Sequence, residues 1–255
     1  MSDYEKIIKL WQKWAVKSES DIDMRLENFR ILFAYNSGKI ENADITYHNT
    51  REIFENGRVI NYTGDPRAIF ETQNQRLCYE YLKPKLAAKE PLSIELVKDI
   101  HNILTSGTYD DRRYIAQNER PGEFKKHDYV TGLAEVGSPP EYVEQDMADL
   151  IFELNNLSSE DKAKDKFALK AAAYFHVRFE NIHPFADGNG RTGRTLMNYE
   201  LMLNDHPPLI IYEEDKQFYY NALEQYDNNE EVAPMVDFLE SQLTKTWGKT
   251  LQREQ

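Results

Sequence analysis

Residues 181–194 read NIHPFADGNGRTGR, and this stretch with its two helical flanks decides the fold. The preceding run, DKFALKAAAYFHVRF, has apolar residues at helical spacing. Pro184 disfavours a helical conformation at His183, so the helix is predicted to end just before it. Gly188 and Gly190 permit a tight turn, and RTGRTLMNYELMLN predicts the next helix. The sequence therefore predicts a helix–loop–helix with the glycines at the N-terminus of the second helix.

The loop combines groups that suit phosphate chemistry. Free amide N–H groups and the positive end of the helix dipole favour an anion at a helix N-terminus. Arg191 and Arg194 are three residues apart, so they share a helix face and can extend an anion site. Asp187 can hold Mg²⁺, which bridges phosphate oxygens. His183 titrates near neutrality and can accept a proton from a hydroxyl. Together these residues indicate a phosphoryl or nucleotidyl transfer site.

Other kinds of site explain the loop less well. An EF-hand calcium loop starting at Asp187 would need glycine at its sixth position, where Thr192 stands. The chain has no GxxxxGK[ST] motif, which excludes a P-loop. Zinc ligation by His176 and His183 lacks an HExxH arrangement or a cysteine partner. A single histidine is more often structural than catalytic, so the argument depends on the whole combination.

Composition sets the class of protein. The chain has 255 residues, a net charge of −13 and one cysteine, Cys78. This length suits one well-packed domain, or one domain with a small added lobe. The acidic charge argues against nucleic acid or an anionic membrane as partner. A lone cysteine suits a reducing compartment, and neither a membrane span nor a signal-peptide apolar region is present. We expect a cytoplasmic protein without nucleic-acid or membrane partners.

Outside the loop, apolar periodicity predicts a mostly helical fold with one small β-hairpin. Helices are predicted in the segments IIKLWQKWAV, MRLENFRILFAY, DITYHNTREIFENG, GDPRAIFETQNQRLCYEYLKPKL, SIELVKDIHNILTSG, EYVEQDMADLIFELNNL and PMVDFLESQL. Asp44 and Ser93 are candidate N-caps. Residues 119–140 place glycines and prolines around two short β-like runs and predict an irregular hairpin.

Residues 183–194, called the signature below, match every fixed position of HxFx(D/E)GNGRxxR, and the chain therefore resembles the Fic family. The likeness extends over roughly residues 25–245. The GNGR form resembles the adenylylating branch, since Gly190 stands where the related Doc kinases carry lysine. The resemblance implies a Fic-type helical core with a β-hairpin flap. It also implies N-terminal helices in residues 1–57 and a Fic core in residues 58–255, packed as one globular unit.

The resemblance implies a role for each signature residue. His183 would deprotonate the target hydroxyl, Phe185 would hold the loop by packing, and Asp187 would coordinate Mg²⁺ on ATP. Arg191 would contact the phosphate chain, and Arg194 would hold the γ-phosphate. Asn189 and the amides of Gly188 and Gly190 would bind the α-phosphate. Thr192 and Gly193 are further implied ATP-binding residues. The implied contacts near adenine are Tyr219, Asp227 and Asn228.

The hairpin resembles the Fic flap, which pairs with the target segment like an added strand. Val130, Thr131 and Gly132 are the flap candidates, and Lys125 stands where many relatives have arginine. The resemblance implies that pyrophosphate leaves and that AMP stays on a Ser, Thr or Tyr hydroxyl. The acceptor would be a target protein or the chain itself, and a homodimer is expected by resemblance only.

A second motif, NSGKIEN at residues 36–42, matches [S/T]xxxE[G/N] through Ser37, Glu41 and Asn42. It resembles the inhibitory motif of Fic proteins in its N-terminal, class II position. There Glu41 would pair with Arg194 and occupy the cation meant for the γ-phosphate. A second interpretation makes Ser37 the N-cap of a helix, because it follows one predicted helix and precedes another. A capping box would need the glutamate one residue earlier, so capping explains Ser37 but not Glu41.

The hypothesis from sequence is an autoinhibited protein adenylyltransferase that uses ATP and Mg²⁺. One alternative within the enzyme class is a deadenylylase that uses Glu41 to remove AMP. A second alternative is a nucleotide-responsive binding module without catalysis. The intact His183, Asp187 and both signature arginines count against this module.

Overall fold

Most of the chain is helical, and the computed structural model describes residues 1–131, 134–157 and 166–254. The helices are α1 (Asp3–Trp14), α2 (Glu19–Glu41), α3 (Tyr47–Asn56), α4 (Pro66–Ala87), α5 (Ile94–Thr105), α6 (Val143–Asn155), α7 (Phe167–Ile182), α8 (Asn189–Leu203), α9 (Lys216–Asn229) and α10 (Ala233–Glu254). A π-helical turn spans Arg112–Ala116, and a 3₁₀ turn spans Glu213–Asp215. Two short strands are β1 (Tyr129–Thr131) and β2 (Ala134–Val136).

Side-chain caps explain where several helices begin. Ser93 caps α5 as predicted, by accepting the N–H of Leu96 at 3.1 Å. The prediction of Asp44 as the cap of α3 was wrong, because Thr46 accepts the N–H of Asn49 at 3.2 Å. The N–H of Asp44 instead donates to the side chain of Asn42 at 2.9 Å, so it belongs to the turn that leaves α2.

Helix α2 continues through the segment that was expected to separate two helices. Ser37 and Gly38 lie inside α2, so Ser37 is not an N-cap. A Cβ atom on Gly38 would approach the Cδ1 atom of Ile45 to 2.6 Å, so glycine lets the turn after α2 pack against the helix. The side chain of Asn36 donates to the carbonyl of Leu32 at 2.9 Å. Helix α2 therefore carries the whole motif up to Glu41 on its last turns.

Helices α7 and α8, which flank the signature, contribute to both main apolar clusters of the core. The first cluster joins them to α1, α2, α9 and α10, and the second joins them to α4, α5 and α6. At one end, the ring of Trp11 lies 5.6 Å from that of Trp247, in an edge-on contact between α1 and α10. The helices of residues 1–57 thus pack directly against the rest of the chain. The division at residue 57 stays a prediction.

Strands β1 and β2 pair antiparallel, with Tyr129 opposite Val136 and Thr131 opposite Ala134. Two backbone hydrogen bonds hold the flanks of this pair to the end of α7 and the start of the signature. The N–H of Lys125 donates to the carbonyl of Pro184, and that of Ser138 donates to the carbonyl of Ile182, both at 2.9 Å. The paired strands therefore lie beside His183.

None of the described helices has the length and apolar character required to cross a bilayer.

Candidate active site

His183 is the C-cap of α7 and has left-handed backbone angles, φ 50° and ψ 62°. Its N–H still donates to the carbonyl of Phe179 at 3.0 Å, and the following proline ends the helix. Burial, followed by the positive charge of Lys125, lowers the pKa of His183 to about 4. The imidazole is therefore neutral at pH 7, which is the form that accepts a proton.

The loop after His183 is fixed by buried contacts. The ring of Phe185 stacks on that of His101, with centroids 3.6 Å apart and planes 2° from parallel. The Asn189 side chain accepts the N–H of Phe185 at 2.9 Å and donates to its carbonyl at 2.7 Å. Because both polar ends of this side chain hold the loop, Asn189 presents only its backbone to the cavity in this conformation.

His101 supports the same loop from α5, and sequence reasoning missed it. Its Nε2–H donates to the carbonyl of Asp187, and its Nδ1 accepts the N–H of Gly122, both at 2.9 Å. Burial lowers the pKa of His101 to about 3, so the ring stays neutral in this one tautomer. It joins the signature to the segment that precedes β1.

Gly188 is the N-cap of α8, with φ 80°. A Cβ atom there would overlap the side chain of Thr105 on α5, so the close approach of the loop to α5 requires glycine. The amides of the first turn of α8 have no acceptor within the helix. Residues 188–191 line the same cavity as Asp187, so this helix N-terminus can bind an anion there.

Arg194 is 1 % exposed and is held by the last turns of α2. Its Nε donates to the hydroxyl of Ser37 at 3.0 Å, and its Nη2 donates to the Ser37 carbonyl at 2.9 Å. The same Nη2 donates to Glu41 Oε1 at 2.9 Å. A Cβ atom on Gly190 would overlap this glutamate oxygen. The Glu41 carboxylate therefore covers the first turn of α8 and pairs with Arg194.

A buried carboxylate on α4, Glu71, connects the end of α2 to the signature. Its side chain is 2 % exposed, and Asn42 Nδ2 donates to it at 2.8 Å. Arg67 Nε donates to Glu71 at 2.9 Å, and Arg191 Nη1 lies 3.3 Å from the same oxygen. Arg67 also donates through Nη2 to Asp187 Oδ2 at 2.7 Å. The motif at 36–42 therefore contacts both Arg194 and this network.

These groups surround one cavity of about 480 Å³, which is large enough for a nucleotide. Its lining comprises Glu41, Asn42, Asp65, Arg67, Glu71, Arg113, Tyr129, His183 and residues 186–191. His183, Asp187, the N-terminus of α8 and the end of α2 thus meet at one cavity.

The donor set fits Mg²⁺ only if the ion arrives with a nucleotide. The described residues contain no group of three or more His, Cys, Asp or Glu side chains arranged to hold a metal. Asp187 is the signature carboxylate on the cavity, and its oxygens accept from Arg67 at 2.7 Å and from the N–H of Gly188 at 2.8 Å. Mg²⁺ commonly uses one or two carboxylates with the phosphates of its substrate. Asp187 with a nucleotide meets that requirement.

Several predicted nucleotide contacts lie away from this cavity. Tyr219 is buried on α9, and its hydroxyl is 2.8 Å from His176 Nε2. On the same helix, Asp227 accepts from Asn181 at 3.0 Å, and Asn228 is exposed. Thr192 and Gly193 face the protein interior, where a Cβ atom on Gly193 would approach Glu180 Oε1 to 2.6 Å. The adenine contacts stay predictions. Among the flap candidates, Val130 and Thr131 belong to β1, and Gly132 lies outside the described residues.

Glu180 is a further buried carboxyl near the site that sequence reasoning missed. Among the described residues its Oε1 has no hydrogen-bond partner. Burial raises the pKa of Glu180 to about 8, although the charge of Arg194 opposes this effect. The carboxyl of Glu180 is therefore largely protonated at pH 7. Because it is neutral, it does not compensate the positive charge of Arg194, which can pair with Glu41 or with a bound anion.

We expect acid to destabilise the fold, because four histidines are buried in neutral form. Burial lowers the pKa of His101 and His176 to about 3 and that of His183 and His206 to about 4. Between pH 6.5 and these values the unfolded chain binds protons that the folded protein does not. The free energy of unfolding should therefore fall as pH drops below 6.5, by about 1.4 kcal/mol per pH unit for each such histidine.

Urea denaturation at pH 7 and pH 5 tests this expectation. His206 lies far from the cavity, and a His206→Asn variant should lose less stability on acidification than the wild type. Exposed His48 supplies the control, since His48→Asn should leave the pH dependence unchanged. Equal pH dependence in the wild type and His206→Asn would contradict the assignment of a neutral buried ring.

Comparisons with known proteins agree with this geometry. Residues 91–201 match the profile of the Fic/DOC family. A curated relative from Aedes aegypti, named Protein adenylyltransferase Fic, is 30% identical over 249 residues, which are 93% of this chain and 46% of the relative. A relative of the same name from Drosophila persimilis is 29% identical over 83% of this chain and 39% of its own length. The chain thus spans less than half the length of these relatives.

Solved structures share the fold. A Fic domain containing signaling protein from Bacteroides thetaiotaomicron superimposes with a TM-score of 0.82 at 24% identity, covering 98% of this chain and 96% of that one. Fic-1 from C. elegans gives a TM-score of 0.75 at 24% identity, over 98% of this chain and 70% of that one. The helical fold is therefore the Fic-type fold. The profile match thus places a Fic/DOC domain at residues 91–201 of this chain.

Proposed function

We propose that this protein is an adenylyltransferase that moves AMP from ATP to a hydroxyl of a protein. The observation that carries the proposal is the single cavity that joins a neutral histidine, a carboxylate and the N-terminus of α8. A base, an anion cradle and cationic side chains are the parts that phosphoryl-type transfer requires.

In the proposed reaction, His183 accepts the proton of a Ser, Thr or Tyr hydroxyl. The hydroxyl oxygen forms a bond to the α-phosphorus of ATP, and the bond from that phosphorus to the bridging oxygen breaks. Pyrophosphate leaves with the electron pair, and AMP stays on the acceptor. Amides at the start of α8 and the guanidinium of Arg191 stabilise the charge on the phosphates.

Asp187 would hold Mg²⁺ when the ion is bound, and the ion would neutralise phosphate charge. Arg194 would hold the γ-phosphate and so set the orientation of the α-phosphate towards His183. The backbone edge of β1 beside His183 could accept a target segment as an added strand, with Val130 and Thr131 as contacts.

We also propose that the protein is inhibited by its own α2. In this arrangement Glu41 takes the guanidinium that the γ-phosphate needs, and its negative charge covers the first turn of α8. A nucleotide would then bind with its α-phosphate away from the line of attack. Self-modification, a homodimer and a cytoplasmic location stay predictions.

Removal of AMP from a modified protein is the second candidate. Glu41 is 38 % exposed and lines the same cavity as His183, so its carboxylate could orient a water towards a phosphate ester. A deadenylylase would need Glu41, whereas transfer would be faster without it. Incubating an AMP-modified protein with the wild type and Glu41→Gly therefore separates the two directions.

The proposed reaction predicts which phosphate of ATP stays on the acceptor. Label on the α-phosphate should be retained on protein after incubation with Mg²⁺ and a cell lysate, and label on the γ-phosphate should be lost. The Glu41→Gly variant is the suitable enzyme, since inhibition by α2 is removed. Retention of the γ-label instead would identify a kinase and contradict the proposal.

A further inference from the structure

Arg67 lines the cavity from outside the signature and contacts the signature carboxylate Asp187. It occupies the first turn of α4, four residues before Glu71, and its side chain is 35 % exposed. Its Nε donates to Glu71 at 2.9 Å, and its Nη2 donates to Asp187 at 2.7 Å. The guanidinium therefore bridges the carboxylates of Glu71 and Asp187.

The two carboxylates are held differently. Glu71 is nearly fully buried, and Asn42 and Arg191 also contact it, so its position is fixed by three cationic or amide donors. Asp187 is 20 % exposed and faces the cavity. A group arriving in the cavity can thus compete for Asp187, but it cannot reach Glu71 as easily.

A divalent cation needs the same carboxylate oxygens that Arg67 contacts. A divalent cation on Asp187 would lie beside the positive guanidinium, which contacts Oδ2 at 2.7 Å, so the two cations repel each other and compete for the charge of the same carboxylate. When the Asp187 carboxylate binds a divalent cation instead, the Arg67 guanidinium keeps its hydrogen bond to Glu71 and stays on the cavity wall. A planar guanidinium with free N–H donors in that place suits phosphate oxygens.

We infer that Arg67 is a further binding residue of the nucleotide site, which holds Asp187 until a divalent cation replaces it and then contacts a phosphate of the nucleotide. This inference rests on the proposed nucleotide-binding function of the cavity. It makes Arg67 a competitor of the cation and a partner of the nucleotide, two effects with opposite signs in binding measurements.

The test measures binding without transfer. Mn²⁺ serves as the probe for the divalent cation, and its weak binding to the nucleotide-free protein is followed by electron paramagnetic resonance. Binding of a non-hydrolysable ATP analogue at a saturating concentration of Mn²⁺ is followed by calorimetry. The variants are Arg67→Gln and, as a matched control, Arg51→Gln, which removes another i,i+4 arginine–glutamate pair on α3, far from the cavity.

We expect Arg67→Gln to bind Mn²⁺ roughly five-fold more tightly than the wild type and the analogue with Mn²⁺ roughly five-fold more weakly, the scale of a partly exposed ion pair. Arg51→Gln should match the wild type in both. Unchanged or weaker Mn²⁺ binding by Arg67→Gln would overturn the inference, and so would unchanged binding of the analogue in the presence of Mn²⁺.

A second variant guards against misfolding. If Arg67→Gln melts much earlier than the wild type, Arg67→Lys replaces it, because one ammonium keeps the charge but cannot bridge Glu71 and Asp187 in the same way. Tighter Mn²⁺ binding by this variant supports the inference, and unchanged binding overturns it. Failure of the proposed function would look different, since neither the wild type nor Glu41→Gly would then bind the analogue with Mn²⁺.

Discussion

Replacing Glu41 by glycine is expected to raise the rate of AMP transfer by roughly ten- to a hundred-fold. The carboxylate now pairs with Arg194 at 2.9 Å and lies against Gly190. Its removal frees the guanidinium for the γ-phosphate and removes a negative charge from the path of the phosphates. A hydrogen bond to a charged group contributes about 1.5–3 kcal/mol, which corresponds to a rate change of that size.

The variant should keep its fold. Glu41 is the last residue of α2, where glycine costs at most about 1 kcal/mol, and Ser37 still holds Arg194 through two hydrogen bonds. Glu41→Gln is the matched control, because it keeps the shape and removes the charge; we expect a smaller increase. Initial rates with α-labelled ATP measure both. Equal rates in the wild type and Glu41→Gly would rule out inhibition by α2.

Replacing His183 by alanine in the Glu41→Gly background should lower the rate of transfer by about 10²- to 10⁴-fold, the usual contribution of a general base. His183 is the neutral imidazole on the cavity wall beside the paired strands. Without it, the acceptor hydroxyl loses its proton only to water. Because the proposed role of His183 is towards the acceptor, the affinity for the ATP analogue should change little.

Two measurements separate loss of the base from loss of structure. The melting temperature of the variant should stay close to that of its parent, and the analogue should bind with similar affinity. His127→Ala is the control histidine, since its ring pairs with Glu119 ahead of β1 and does not line the cavity. A His183→Ala variant that keeps transfer within ten-fold of its parent would remove His183 from the proposed mechanism.

The geometry of the signature was largely predictable from sequence. Pro184 determines where α7 ends, and the glycines allow the turn into α8, so local chemistry alone places His183 and Asp187 on one loop. The contact between Arg194 and Glu41 spans 153 residues, and only the resemblance to Fic proteins led to its prediction.

Other parts of the site carry no local signal. Arg67 meets Asp187 across 120 residues, and His101 meets it across 86. Each is an ordinary polar residue on a helix whose partner is determined by how α4 and α5 pack against the signature. Tertiary packing, rather than the spacing of residues in the sequence, brings these groups together. No short sequence motif predicts these contacts.

The continuation of α2 through residues 36–41 shows the same limit. Asn, Ser and Gly in one turn favour a break by local propensity. In the fold, Asn36 bonds back to the helix and to the N–H of Glu213, and Ser37 bonds to Arg194. These buried hydrogen bonds outweigh the low helix propensity of the three residues. Helix α2 therefore extends to Glu41, which lines the cavity.

The most direct test of autoinhibited AMP transfer is intact-protein mass spectrometry after incubation with ATP and Mg²⁺. The wild type, Glu41→Gly and Glu41→Gly/His183→Ala are compared, with a cell lysate labelled in parallel. We expect an AMP adduct on the protein or on lysate proteins that is strongest in the single variant and absent in the double variant. An adduct that is equal in all three, or absent from all three despite measurable ATP binding, would contradict the account.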